Sequence, residues 1–376
     1  MRYLKTTVIA SLLLICQSVA ANQVQVFYPA SYQNPAKMAH TKDSRLVGGV
    51  FIPNVYDKFK GTILGTKGST KTNYALAFPY MMLEQRFSDR VVAGFDVSNP
   101  LLAYILWPAN GFQAAFGIDT ILNSYELTPK ISVKITDNFA VGASFRYLNI
   151  YRAELNYDVL DFFLMNRATG EGFGGAVGCS YTLCQKTIFD FCFFSPISSK
   201  VNGRSISGPF VNSEFFASNF KYCPTTYILN ILHVFNQTFL ASLRIAYSLW
   251  HGDQQLVLNN VAIGPNPTIL NLEWKNTVNA ALYGRIQAVK KFAILGLFGY
   301  DQSPVNSGNN AVLLPLGHVF YGGAGGEYRF NSCAVFQVFA GQARTMRPKI
   351  HNPPLLVNGT NLALYTWVDI SSTITF

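Results

Sequence analysis

Three arginines set in otherwise apolar, alternating runs are the side chains best able to meet an anionic ligand. Arg146 lies in Phe139-Ala140-Val141-Gly142-Ala143-Ser144-Phe145-Arg146-Tyr147, Arg152 follows shortly after, and Arg244 lies in Ala241-Ser242-Leu243-Arg244-Ile245-Ala246-Tyr247. A guanidinium can hold a carboxylate through two parallel hydrogen bonds, but a neighbouring Asp or Glu of the same wall can take that place. The apolar counterpart is Leu101-Leu102-Ala103-Tyr104-Ile105-Leu106-Trp107-Pro108 with Phe112, Phe116 and Ile118. Apolar loop surface on this scale marks a binding site or a membrane contact, unless the segment folds into a local core beneath other loops. Asn99-Pro100 stands just before it. A proline cannot donate to a sheet ladder, so it belongs at a kink or bulge, or the strand ends at Ser98.

Other chemistries are poorly supported. A hydrolase would need Ser, His and a carboxylate or amide held together. The five histidines, His40, His233, His251, His318 and His351, fall mostly in expected loops with no matching serine motif, so an enzyme is not expected. No Cys-x-x-Cys pair exists, which argues against a zinc site, and no cofactor is indicated. Past a leader, Cys179, Cys184, Cys192, Cys223 and Cys333 remain, an odd and irregular set that excludes a tidy disulfide framework. Cys184 and Cys192 are left open between disulfide partners and free thiols. Glycine-rich phosphate loops and nucleic-acid motifs are absent, so nucleic acid is not an expected partner.

The elements that must position these residues begin with an export signal. Arg2 and Lys5 precede the apolar run Val8-Ile9-Ala10-Ser11-Leu12-Leu13-Leu14-Ile15, and small residues follow at Ser18, Ala20 and Ala21. This pattern reads as a secretory leader over residues 1–21, too short for a spanning helix. No later apolar run is long enough to span as a helix. Yet 49% of the chain is hydrophobic and only 13% charged, against roughly 25% charge in a soluble domain. An exported chain this apolar without a spanning helix points to a closed barrel in which every backbone group is paired. Without Arg2 and Lys5, 27 basic residues face 19 acidic ones, a net charge of +8. Such a balance suits loops and lumen walls that meet anionic head groups or acidic ligands.

Period-two alternation predicts fourteen strands, near 44–55, 73–86, 90–103, 124–135, 139–157, 171–182, 187–204, 225–234, 238–250, 276–288, 291–300, 319–330, 333–343 and 362–376. Their connections alternate short and long, the long ones near 56–72, 104–123, 158–170, 205–224, 251–275, 301–318 and 344–361. Tight turns at one rim and long loops at the other are the habit of a single-chain outer-membrane barrel. The last strand carries Leu362, Leu364, Val368, Ile370 and Ile374 on one face and ends on Phe376. It resembles the closing strand of such barrels, in which a terminal Phe is an assembly signal.

Asn34-Pro35-Ala36, before the first strand, looks like an element of the FadL-type long-chain fatty acid transporters. Further likenesses follow in order: Leu127-Thr128-Pro129-Lys130 through Asp137-Asn138-Phe139, Gly172-Phe173-Gly174-Gly175, Ser195-Pro196-Ile197, Tyr247-Ser248-Leu249-Trp250, Tyr300-Asp301-Gln302-Ser303-Pro304 and Gly325-Gly326-Glu327-Tyr328-Arg329-Phe330. Two departures stand out. The glycine- and alanine-rich start of the family's plug is missing, and no Tyr-Arg precedes Ser195.

The resemblance implies an all-β transmembrane antiparallel β-barrel of about 14 strands in the bacterial outer membrane, with a short N-terminal plug over 22–43 and the barrel over 44–376. It implies passive uptake of long-chain fatty acids or other hydrophobic molecules. Candidate residues are Asn34, Pro35 and Ala36 in the plug, Asn99, Pro100 and Leu101 at a kink opening the third strand sideways, Leu106, Trp107, Phe112 and Phe116 for capture, and Arg146 and Arg244 for the head group. Outer-membrane lipid and lipopolysaccharide and the barrel-assembly machinery are the expected partners of a monomer. A general porin, or a structural or adhesive barrel, is the alternative.

Overall fold

In a computed structural model the chain is described over residues 32–63, 65–100, 102–112, 119–159, 162–208, 211–250, 255–260, 262, 267–271, 274–305, 316–346, 349–352 and 357–376. Apart from one 3-10 turn (Pro35–His40), the assigned elements are strands. In chain order they are β1 (Arg45–Ile63), β2 (Thr66–Ala75), β3 (Phe78–Arg86), β4 (Val91–Ser98), β5 (Leu102–Leu106), β6 (Asp119–Lys134) and β7 (Phe139–Val159). Then come β8 (Phe162–Leu183), β9 (Thr187–Phe194), β10 (Ile197–Ser207), β11 (Val211–Cys223), β12 (Thr225–Val234), β13 (Phe239–Leu249) and β14 (Gln255–Asn259). The last are β15 (Thr268–Asn271), β16 (Thr277–Val289), β17 (Phe292–Asp301), β18 (Val319–Arg329), β19 (Ala334–Thr345), β20 (Lys349–Asn352) and β21 (Val357–Thr375).

These segments make fourteen wall strands, because seven of them are interrupted: β2 with β3, β4 with β5, β9 with β10, β11 with β12, β13 with β14, β15 with β16, and β19 with β20. Neighbours in sequence pair antiparallel, and β21 returns to pair β1 from Arg45↔Thr375 to Ile63↔Val357. Phe376 N donates to Ser44 O at 2.9 Å, which extends this seam by one bond. A closed barrel leaves no sheet edge at either end of the chain.

Alternation sorts the side chains as the sequence implies. On β7, Phe145 is 51% exposed while Arg146 is 1% exposed and faces inward. On β13, Leu243, Ile245 and Tyr247 face out while Arg244 faces in, and on β21 Val368, Ile370 and Ile374 face out while Trp367 and Asp369 face in. The outer face also carries paired aromatic rings at membrane-boundary positions, among them Tyr147–Phe173, Phe193–Tyr227, Tyr300–Phe320 and Phe235–Phe239. Such girdles bound the apolar band of a transmembrane barrel.

The strand count agrees with expectation, but the long loops do not. Most of 56–72, 158–170 and 205–224 is paired strand: β1 and β2 register Asn54↔Ala75 to Ile63↔Thr66, and β7 and β8 continue to Val159↔Phe162. β8 runs for 22 residues, about twice what a tilted strand needs to cross a bilayer. The reason is chemical. Beyond the membrane the outer face need not be apolar, so pairing persists where apolar alternation stops. Among the described residues the five cysteines form no disulfide, with Cys184 exposed and Cys192 buried.

The role of the terminal residue can be checked directly. Deleting Phe376 should lower the fraction of heat-modifiable barrel in the outer membrane several-fold, while refolding of the same protein in detergent micelles is unchanged. Equal yields in cells would remove Phe376 from assembly.

Candidate functional site

Residues 32–44 lie inside the barrel against β6, β7, β8 and β9, and the sequence explains why the backbone turns there. Asn34 caps the 3-10 turn: its Oδ1 accepts from Ala36 N at 3.0 Å, and Pro35 occupies the first position of the turn, where an N–H is not needed. The same side chain reaches the wall, with Nδ2 donating to Cys179 O at 3.0 Å and Phe191 O at 3.3 Å. Ala36 is fully buried, and its carbonyl accepts from Ser132 Oγ at 3.1 Å. Room for this contact comes from two inward-facing glycines. A Cβ on Gly178 would collide with the Asn34 side chain, and one on Gly142 with the Pro35-Ala36 backbone.

A polar network anchors the segment immediately after this contact, from Lys37 to His40. Lys37 Nζ pairs with Asp190 Oδ2 at 3.1 Å, and Asp190 also accepts from Ser180 Oγ at 2.6 Å and Asn230 Nδ2 at 3.0 Å. Ser242 Oγ donates to Asn230 Oδ1, and His40 Nε2 shares a 2.7 Å hydrogen bond with Ser180 Oγ. Burial holds the His40 ring below its ordinary pKa; Asp190 opposes this, and Lys134 and Lys37 add to it. A cavity of about 10 Å³, the size of one water, lies between Tyr32, Asn34, Lys37, Asp190, Asn230 and Arg244.

The candidate arginines sit in this interior. Arg146 binds Glu126 through both Nε (2.9 Å) and Nη2 (2.7 Å) and lies 4.8 Å from the centre of the Tyr32 ring. Its charge is therefore already met by the wall. Arg244 is 5% exposed at the edge of the small cavity. Arg152 is half-exposed and pairs with Glu154, which Arg167 also reaches. Arg45–Glu84, Lys130–Asp96 and Arg285–Glu327 are further inward ion pairs at 2.7 to 2.8 Å.

The wall itself is broken beside Asn99-Pro100. β4 pairs β3 only from Arg86↔Val92 to Met81↔Val97, and it ends at Ser98. Beyond the break β5 pairs β6, while β2 pairs β1. Among the described residues β2 and β5 share no ladder, so a seam opens between the second and third wall strands. Asn99 Nδ2 donates to Pro79 O at 2.9 Å across its lower end, and Pro100 is buried.

The apolar segment after the break folds inward. Trp107 is 3% exposed in a cluster with Phe59, Ile63, Ile350 and Val357, and Phe112 stacks on Phe59 at 6.3 Å. Leu106 is half-buried; Leu101, Phe116 and Ile118 lie outside the described residues. Sequence reasoning missed two comparable groups. Leu148, Ile150, Ile197, Val201 and Leu258 pack together on the inner face, and Trp250, Trp274 and Leu316 form another cluster with the two indoles edge to face at 4.9 Å. The only sequence signal for the first was apolar residues on both faces of β7. The Tyr300-Asp301-Gln302-Ser303-Pro304 element is a corner beside the second: Tyr300 OH pairs with His318 Nδ1 at 2.7 Å and Pro304 O accepts from Lys275 N.

Two tests follow from this geometry. Gly178→Val should free residues 32–44 for protease cleavage while the barrel stays heat-modifiable; full protection would show that the wall contact does not hold the segment. Because folding lowers the His40 pKa, docking should be complete above about pH 6.5 and weaken as pH falls below it. Proteolysis at pH 7.5 and pH 5 should show this difference, and His40→Gln should abolish it.

No family model matches the sequence, and no curated protein matches it. Solved structures do. A Pseudomonas aeruginosa FadL homologue superposes with a TM-score of 0.81 at 16% identity, covering 96% of this chain and 95% of its own. The P. putida toluene transporter TodX gives 0.69 at 14% identity over 93% and 94%, and the Ralstonia pickettii toluene transporter TbuX 0.69 at 12% over 96% and 98%. At these identities the likeness is one of fold: the chain is a fourteen-stranded outer-membrane barrel with the architecture of the FadL-type transporters.

Proposed function

We propose that this barrel takes up hydrophobic molecules, fatty acids or aromatic hydrocarbons, and releases them sideways through the seam beside Pro100. The observation that carries this reading is the break between β2 and β5. A barrel in lipid normally pairs every strand, because unpaired backbone is costly in hydrocarbon. A lateral gap is useful to a solute that partitions into the bilayer, and of no use to a sugar or an ion. Apolar clusters inside the extracellular end, around Trp107 and Phe112 on one side and Trp250 and Trp274 on the other, give such solutes a landing surface. The names of the structural relatives, a FadL homologue and toluene transporters, point the same way.

In this reading residues 22–43, of which 22–31 lie outside the described residues, act as a short plug that blocks axial flow. Asn34, Pro35 and Ala36 fix it to the wall, and the adjoining Lys37–Asp190 pair locks it there. Arg146 serves the wall rather than the ligand, since Glu126 occupies it, and Arg244 borders a cavity with room for a single water. Barrel-assembly machinery inserts the chain, which works as a monomer without a cofactor or a catalytic step.

Uptake of labelled oleate and toluene in cells lacking their own transporter tests the reading. Expression of this protein should raise uptake of at least one, and Pro100→Val, which lets the third strand continue, should reduce it several-fold with the barrel still folded. Uptake of small sugars with no response to oleate or toluene would identify a porin. No uptake of any solute would favour a structural or adhesive barrel. Unchanged uptake in Pro100→Val would remove the kink from the mechanism.

A further inference from the structure

The outer face of the β2–β1–β21–β20 sheet changes character abruptly along its height. Outward residues of β1 run Leu46, Val50, Ile52, Asn54 and Tyr56, then Lys58 and Lys60. Leu46 to Tyr56 is about the 9–11 residues a transmembrane strand needs, and it ends on an aromatic residue of the boundary type. Lys58 therefore stands roughly 5 Å above the hydrocarbon edge, for a strand tilted by about 40°.

The neighbouring strands add charge of the same sign at the same height. Lys58 lies directly opposite Lys71 on β2, and Lys60 is opposite Ser69, which puts it diagonal to both Lys67 and Lys71. On the other side Lys60 faces Thr360, which in turn faces Lys349 of β20, and Arg344 lies opposite Leu364 at the height of Tyr56. All four lysines of β1 and β2, together with Lys349 and Arg344, are exposed. Between residues 54 and 75 the single acidic residue is Asp57, which faces inward and is 1% exposed; between 344 and 366 there is none. Like charges directly opposite in a sheet are destabilising, and among the described residues no ion pair involves Lys58, Lys60, Lys67 or Lys71.

We propose that this patch binds the phosphates of lipopolysaccharide in the outer leaflet. The argument is one of charge and height. The cations point away from the barrel axis, so a solute in the lumen does not meet them. They sit one step above the aromatic boundary, where phosphorylated glycolipid head groups of the outer leaflet lie. Their spread over three strands lets one headgroup contact several ammonium groups at once. The patch shares β2 with the seam but lies on the outer face above it, away from the inner segment, and it stands whether or not the barrel transports hydrophobic molecules.

The test uses the purified full-length barrel in detergent with three probes: diphosphoryl lipid A, its dephosphorylated form and inorganic phosphate. Each lysine beside an anionic lipid surface is worth roughly five-fold in affinity, so Lys58→Gln, Lys60→Gln and Lys71→Gln together should weaken lipid A binding about 100-fold. Three Lys→Gln changes at the opposite rim, at Lys186, Lys290 and Lys291, should leave it unchanged. Without lipid A, the patch variant should melt no lower than the parent, because it loses a like-charge pair. Should the triple variant not fold, Lys71→Gln alone should still show the five-fold loss. Equal binding by the patch variant, equal binding of the dephosphorylated lipid, or displacement by equimolar inorganic phosphate would each overturn the proposal.

Discussion

The pairing of β1 with β21 along their whole length is the constraint on which the rest of the structure depends. A sheet in hydrocarbon cannot keep an edge, because each unpaired N–H or C=O there costs several kcal/mol. Closure forces an inside and an outside, and alternation then assigns every second residue to each. The outside becomes a continuous apolar band. The inside collects the groups lipid will not accept, which is why Arg45, Arg146, Lys130 and Arg285 each appear there beside a carboxylate. A buried charge left alone would cost far more than the pair, so the pairing is a condition of closure rather than a bonus to stability.

Two places depart from this rule, and both bear on the interior. At Gly142 and Gly178 the inner face has no side chain, and residues 34–36 fill the space with backbone and one amide. The wall there is a single layer of backbone between the inner segment and an apolar groove of about 490 Å³ on the lipid side, bordered by Ile131, Val177 and Phe191. At Asn99-Pro100 the ladder stops altogether. The Asn99 side chain substitutes for a ladder bond to Pro79 O, so the break is bounded below by a specific contact and does not fray into the β3–β4 pairing.

Much of the architecture was legible because lipid imposes a strict code. Fourteen strands, the inward placement of Arg146 and Arg244, and the outward face of the last strand all follow from period two against an apolar solvent. The code lapses where that solvent ends. Above Tyr56 the outer positions turn to Lys58 and Lys60, so β1 and β2 look like loop although they pair as far as Ile63 and Thr66. It also cannot report partners across the lumen. Asn34 was recognisable as a motif, but its acceptors are carbonyls of Cys179 and Phe191, 145 and 157 residues away, and any residue type supplies a carbonyl. The inner cluster is hidden for a related reason, since β7 carries apolar or aromatic residues on both faces there, Leu148 and Ile150 inward and Tyr147 and Tyr151 outward, and alternation does not single out the inner pair.

The seam and the lysine patch share one strand. β2 borders the break on one edge, and on its outer face it carries Lys67 and Lys71 above Asn73 and Ala75. Ala75 lies opposite Asn54, within the upper part of the apolar band, so the break begins inside the outer leaflet and rises into the head-group layer. On the proposed lateral route, a molecule leaving through it would enter the acyl chains of that leaflet directly beneath the lysines. Exit at this depth asks nothing of the periplasmic end of the barrel, where the inner segment is held by Asn34 and by Lys37 with Asp190. Under the proposed lateral route a short inner segment is sufficient, since it need not move for a hydrophobic solute to reach the bilayer.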